Sequence, residues 1–270
     1  MLNQSTYPKK CKKLEIEDQL RAESITKLLE DPSCLALKVS GFYSQQIAEK
    51  LANTIEQANT LHGYSFAQDV LKSNLTFSET DSEELRNTYF QNAIRQIDNI
   101  RQLFYPFYSP IDYLRLKLQE VYPHGAELMT LDGQKMFCGL LRAFHSGVEA
   151  EPHQDVLYWD SDYDRNAMLD NQLAANIYLK TPEEGGELEL WNHKCDSQQE
   201  YENLRNPHSY GLDRTKLGSS ELLILPEPGD LILFESNRVH AVLPSKGALR
   251  ITMSSFIGYN RNNQPLKLWS

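Results

Sequence analysis

The chain has 270 residues, 40% of them hydrophobic, and 27 Lys and Arg stand against 37 Asp and Glu for a formal net charge of -10. Such a length buries one sizeable core, and the acidic balance excludes the basic footprint that a nucleic-acid partner requires. No run of about 18 apolar residues occurs, so no membrane partner is expected.

The opening segment, MLNQSTYPKKCKKLEIEDQL, carries lysines but no apolar stretch of the signal-peptide kind. The four cysteines, Cys11, Cys34, Cys138 and Cys195, include no CxxC pair, which predicts a reducing, cytoplasmic setting without a disulfide or zinc framework. Residues 1–34 read as an N-terminal extension. Leu35 to Val39 then form a short apolar run before a Gly-containing turn, and Ile47, Leu51 and Ile55 follow at helical spacing, a strand feeding a helix. Asp81 with Glu84 three residues on has the pattern of a helix start, and Leu85, Tyr89, Ala93, Ile97 and Ile100 share one face. Ser109 before Pro110 opens another helix, with Ile111, Leu114, Leu118 and Val121 as its buried stripe. Residues 35–124 therefore form a strand plus a helical support region.

From Gly125 the character changes to short β-like runs cut by Gly, Pro and Asp: FCGLLRAF, AANIYL, GGELELW, ELLIL, DLILFE, RVHAVL and RITMSSFIGY. Short strands at regular spacing with turn chemistry between them predict a sandwich or barrel. The fold class expected is mainly β with N-terminal helices: a double-stranded β-helix (jelly roll, cupin-like) core over 125–270, integrated with 35–124 as one domain. No internal repeat or low-complexity segment interrupts it.

The stretch EAEPHQDVLYWD places His153 and Asp155 one residue apart, so in an extended segment both side chains project to the same side. Two imidazoles and one carboxylate make the facial triad of ferrous oxygenases, with the opposite face open. His240, in a β-like run after the buried strand LILFE, is the third ligand expected. His145 reads as locally satisfied, and a zinc site from His193, Cys195 and His208 fits no familiar spacing. Arg250 opens the next run and is expected on the strand beside His240. A buried guanidinium there needs an anion, which it grips in bidentate fashion, and Thr252 on the same face adds a hydroxyl. Arg142, Asn176 and Tyr178 are candidate pocket residues touching cosubstrate or substrate, the last two on one face, with core packing as the equal alternative. Tyr158 and Trp159 beside Asp160, Asp162 and Asp164 could close over a cationic substrate, although a solvated acidic loop is the commoner role for such a stretch. Trp269 folds back over the pocket or anchors the tail.

With His153, Asp155, His240, Arg250 and Thr252 in hand, the sequence resembles the Fe(II)/2-oxoglutarate-dependent oxygenases, over roughly Lys135 to Tyr259. TPEEGGELELW and LPEPGDLILF look like the strands this superfamily places between its metal ligands. In layout the chain is most similar to the branch of small-molecule hydroxylases and the related non-haem iron halogenases. The resemblance implies that His153, Asp155 and His240 hold Fe(II), that Arg250 and Thr252 receive the far carboxylate of 2-oxoglutarate with Asn176 and Tyr178 nearby, and that O2 is the oxidant, with ascorbate an activator in vitro. Halogenases of this branch carry a small residue where this chain has Asp155, so the resemblance implies hydroxylation of an unactivated C–H bond in a small molecule, a free or modified amino acid, amine or natural-product intermediate, with release of succinate and CO2. Desaturation, cyclisation or oxidation of a protein residue are variants of the same chemistry. A metal-binding jelly-roll module without catalysis is the alternative from another class, disfavoured because it has no use for the Arg250 clamp.

Overall fold

The structure, a computed structural model, describes residues 13–58, 60–65, 67–159 and 169–270. Two β-sheets face each other without closing into a continuous barrel. The elements are β1 (Leu14–Glu17), α1 (Ala22–Glu30), β2 (Ala36–Val39), α2 (Gln45–Ala58), β3 (Val70–Lys72), α3 (Glu83–Phe104), α4 (Pro110–Val121), β4 (Ala126–Leu128), β5 (Leu140–Phe144) and β6 (Ala150–His153). They continue with β7 (Asn171–Lys180), β8 (Leu188–Leu190), α5 (Gln198–Leu204), α6 (Arg214–Leu217), β9 (Leu222–Ile224), β10 (Leu231–Glu235), β11 (His240–Val242), β12 (Arg250–Tyr259) and β13 (Leu266–Trp269). The larger sheet runs β1-β2-β10-β7-β12-β5-β3, with β13 joining β12 to β4, and the smaller runs β9-β8-β11-β6. This is the jelly-roll core expected, carried by helices.

The period-two alternation of the long strands explains the layering. On β7, Leu173, Ala175, Ile177 and Leu179 are fully buried against the helices, together with Ile251, Met253 and Ile257 of β12. Leu51 and Ile55 of α2 and Leu114 and Leu118 of α4 pack on that face. The intervening residues, Asn176 and Tyr178 on β7 and Arg250 and Thr252 on β12, therefore point to the other side, into the space between the sheets. Phe77, Tyr89, Phe90 and Trp269 build a second apolar cluster under α3.

Helix starts follow local chemistry. Ser109 caps α4 by accepting from the Asp112 N–H at 3.1 Å, with Pro110 in the first turn, as the sequence indicates. On α3 the cap is Ser82, which accepts from Leu85 N–H at 3.3 Å, one residue later than the Asp81 expected. Leu85 is correspondingly exposed, while Tyr89, Ala93, Ile97 and Ile100 are buried. The residues read as an N-terminal extension contribute, from Leu14 onward, an edge strand parallel to β2 and a helix whose Ile25 and Leu28 are fully buried. Leu114→Ala should cost about 2–5 kcal/mol in urea unfolding while leaving metal affinity unchanged, because Leu114 lies on the far face of the sheet from the metal-ligand candidates.

Candidate metal centre

The antiparallel pairing of β6 with β11 sets His153 directly opposite His240, and the two imidazole centroids lie 4.3 Å apart. His153 Nδ1 donates to the Glu151 carbonyl at 2.7 Å and His240 Nδ1 to the Arg238 carbonyl at 2.9 Å. A carbonyl only accepts, so each Nδ1 carries the proton and each Nε2 presents its lone pair. Asp155 Oδ2 lies 3.3 Å from His240 Nε2 and 3.9 Å from His153 Nε2. One donor atom from each residue falls within 4.8 Å of the others, a spacing that a single first-row cation spans.

The electrostatics suit a cation. Burial, with His240 beside it, brings His153 down to about 4, so it is neutral at pH 7, the form that ligates. Burial works against the Asp155 charge, but the neighbouring imidazoles of His153 and His240 outweigh it and hold this carboxyl well below the usual carboxylate range. The backbone around Asp155 is pinned: its N–H donates to the Ser236 carbonyl at 2.8 Å, and Gln172 Nε2 donates to its carbonyl at 3.1 Å. Gln172 Oε1 also accepts from Leu157 N–H at 3.1 Å. Gln154, the middle residue of the motif, is a buried strut that accepts from Cys195 N–H at 2.7 Å and donates to the Asn237 carbonyl at 2.9 Å.

Arg250 corrects one expectation. It is not beside His240: β12 belongs to the larger sheet, where Arg250 pairs with Phe144, and it reaches the centre from across the sandwich. The residue is 2% exposed, with its guanidinium 5.0 Å from the Phe144 ring and 5.1 Å from that of Tyr178. Its Nη2 donates to the Tyr178 hydroxyl at 3.4 Å, and its Nε has no partner. Burial pulls the Arg250 pKa down. A guanidinium so enclosed, with no carboxylate in any ion pair to it among the described residues, fits a carboxylate-bearing ligand. A narrow chamber of about 40 Å³ joins Arg250, Thr252 and Asn176 to the three candidate ligands. Tyr178 serves as the floor under Arg250.

A wider cavity of about 340 Å³ opens outward from His153 and Asp155. Arg142 and Trp269 stand in its wall, together with Tyr64, Phe77, Leu157 and Tyr210. Tyr158 and Trp159 follow Leu157 in a short 3-10 turn and do not line it; Trp159 instead packs edge-to-face on Tyr201, ring centroids 5.7 Å apart. Asp160, Asp162 and Asp164 lie outside the described residues. The segment between Asn192 and Leu222 supplies Tyr201, Arg205 and Tyr210 to the wall. His193 and Cys195 do meet, with Glu200 and not with His208, and burial pushes the Cys195 thiol up to about 11. Tyr64, Phe77 and Gln172 went unrecognised in the sequence because no motif spacing links them to the triad.

The chain belongs to the family described as carrier-protein-independent halogenase WelO5, which matches residues 12–270. It is also 32% identical over 147 residues to L-gamma-glutamyl-L-propargylglycine hydroxylase of Streptantibioticus cattleyicolor, a match over 52% of this chain and 51% of that protein. The chain thus spans about half the length of this curated relative. In fold it resembles an N-substituted L-amino acid dioxygenase from Burkholderia ambifaria AMMD, with a TM-score of 0.66 at 16% identity over 92% of this chain and 91% of that one. The same enzyme in complex with alpha-KG superposes with a TM-score of 0.64 at 17% identity, again over 92% and 91%.

Gln154→Leu should lower Co(II) affinity roughly 10–100-fold, the usual cost of losing an outer support of a metal ligand, with all three ligands intact. Equilibrium dialysis against cobalt checks this; an unchanged affinity would show that the Gln154 strut does not position the centre.

Proposed function

We propose that this protein is an Fe(II)- and 2-oxoglutarate-dependent oxygenase that hydroxylates a C–H bond of an amino-acid-derived small molecule, releasing succinate and CO2. The observation that carries the reading is the buried Arg250, with an unpartnered Nε, facing a two-histidine, one-carboxylate cluster across one chamber. A site that only stored a metal would have no use for that arginine. When bound, iron and 2-oxoglutarate supply the oxidising chemistry, with O2 as the co-reactant and ascorbate as an activator in vitro.

The chain's own residues do the positioning. His153 and His240 offer Nε2 lone pairs, and Asp155 the third, anionic corner. Arg250 and Thr252 receive the distal carboxylate of the cosubstrate from the opposite sheet, with Tyr178 steadying the guanidinium and Asn176 beside them. The wider cavity brings the substrate against His153 and Asp155 and keeps bulk water from the reacting bond. Arg142 and Trp269, in its wall, are candidates for contacting the substrate. The similarity to a hydroxylase of a γ-glutamyl dipeptide supports an amino-acid-derived substrate. Asp155 supports hydroxylation over halogenation, because its carboxylate takes the coordination position a halide needs. A cytoplasmic location belongs to the same reading, supported by the free, buried Cys34, Cys138 and Cys195. Among the described residues, no helix is long and apolar enough to cross a membrane.

Purified protein with Fe(II), 2-oxoglutarate, ascorbate and O2 should form succinate when offered one of a panel of N-acyl amino acids, γ-glutamyl dipeptides and free amino acids, and Asp155→Ala should abolish it. Arg250→Ala should raise the KM for 2-oxoglutarate roughly 10- to 150-fold, the worth of one charge-assisted hydrogen-bonded contact. Iron bound without succinate from any compound would favour the non-catalytic module.

A further inference from the structure

Among the described residues, Arg142 is a cation that takes part in no ion pair, with Asp155 the anion that feels its charge. It sits on β5 between Leu140 and Phe144 with its side chain on the inner face, and it borders both the narrow chamber and the wider cavity. In the sheet its neighbours are Thr252 on one side and Lys72 on the other. Like charges directly opposite in a sheet repel. Lys72 escapes that cost through Glu79, whose carboxylate lies 2.9 Å from its ammonium, both side chains being deeply buried. Arg142 has no such partner: it takes part in no ion pair among the described residues, and its buried Nε makes no hydrogen bond. The neutral phenol of Tyr64 lines the same cavity wall and feels its charge. The other cation of the wall, Arg205, is already engaged by Glu202 at 3.3 Å.

The charges facing the centre can be matched one against another. Lys72, Arg142 and Arg250 are positive and a divalent metal would add two more; Glu79, Asp155 and a dianionic cosubstrate supply four negative charges. Among these groups one positive charge is left over, and Arg142 is the cation lining the wider cavity that forms no ion pair among the described residues. A partly buried guanidinium gains most from a carboxylate presented to its planar fork. The apolar remainder of the cavity, from Phe77, Leu157, Phe256 and Trp269, suits a hydrocarbon chain.

From this, resting on the oxygenase reading above, we infer that Arg142, in the cavity wall beside Tyr64, is the anchor for a carboxylate on the primary substrate. The substrate class is then an amino-acid derivative with a free carboxylate beside an apolar side chain. This runs against the cationic substrate that the acidic loop after Asp155 pointed to.

The test is anaerobic titration calorimetry on the full chain loaded with Fe(II) and 2-oxoglutarate. The probes are L-γ-glutamyl-L-propargylglycine and N-acetyl-L-leucine, each beside its C-terminal carboxamide, with L-leucinamide as the cation. At least one carboxylate should bind roughly 10–100-fold tighter than its carboxamide. Arg142→Gln should erase that preference, Arg142→Lys should restore part of it, and the visible absorption of the Fe(II)–2-oxoglutarate complex should keep its midpoint in both. Equal binding of acid and amide, preference for L-leucinamide, no binding of any probe, or a preference that survives in Arg142→Gln overturns the inference. So does a shifted 2-oxoglutarate midpoint in Arg142→Gln, which would assign the arginine to the cosubstrate. Absence of the absorption band in the unsubstituted protein defeats the oxygenase reading instead, and the acid-to-amide ratio from the same titration still decides Arg142.

Discussion

The direct cross-strand pairing of His153 with His240 is the constraint on which this centre depends. In an antiparallel pair the register decides which side chains share a face, and a slip of one residue would turn one imidazole to the opposite side of the sheet. Both rings are then locked by the same device, an Nδ1 bond to the carbonyl two residues earlier. Asp155 has left the strand, so sheet pairing cannot hold it. Ser236 and Gln172, from β10's end and from β7, take over that task, which ties the backbone of Asp155 to the larger sheet. The cluster is consequently built by both sheets, and its geometry is as rigid as the sandwich itself.

That rigidity allows the larger sheet to carry cations on its inner face. Lys72, Arg142, Arg250 and their strands β3, β5 and β12 lie next to one another, an arrangement that works against folding unless each charge finds an anion. Glu79 neutralises the first from within the chain. The others face the chamber, where ligands arrive. Local rules of sequence and structure break at functional sites and are compensated elsewhere, and here the compensation is the apolar packing of α2 and α4 on the outer face of the same strands.

Much of this was legible in the sequence because period-two patterning and triad spacing are local. AANIYL and RITMSSFIGY announced buried strands, and the one-residue gap between His153 and Asp155 placed both on one side. Ser109 and Pro110 marked the start of α4 with their own chemistry. What escaped depends on which strands become neighbours. Arg250 follows His240 by ten residues, and sequence proximity pointed to an adjacent strand, whereas the chain crosses to the opposite sheet between them. The roles of Gln172, Tyr64 and Gln154 rest on hydrogen bonds to distant backbone or on charges from distant strands, which no spacing encodes. The edge strand and helix between Leu14 and Glu30 were hidden by their polar residues, which pair with one another, Lys27 with Glu15 and Arg21 with Glu17.

Membership of a family described by a halogenase makes Asp155 the position on which the proposed hydroxylation turns. A metal face with two imidazoles and a vacant third corner accepts a halide; the same face with a pinned carboxylate does not. In this chain the backbone of Asp155 is fixed from both sides, and its charge is favoured by His153, His240 and Arg142 despite burial. The carboxylate is thus an integrated member of the site and not a side chain that merely happens to point inward. Its removal would leave Ser236 and Gln172 holding an empty position of the right shape. On the reading proposed above, this one carboxylate is what favours hydroxylation on a scaffold whose family is described by a halogenase.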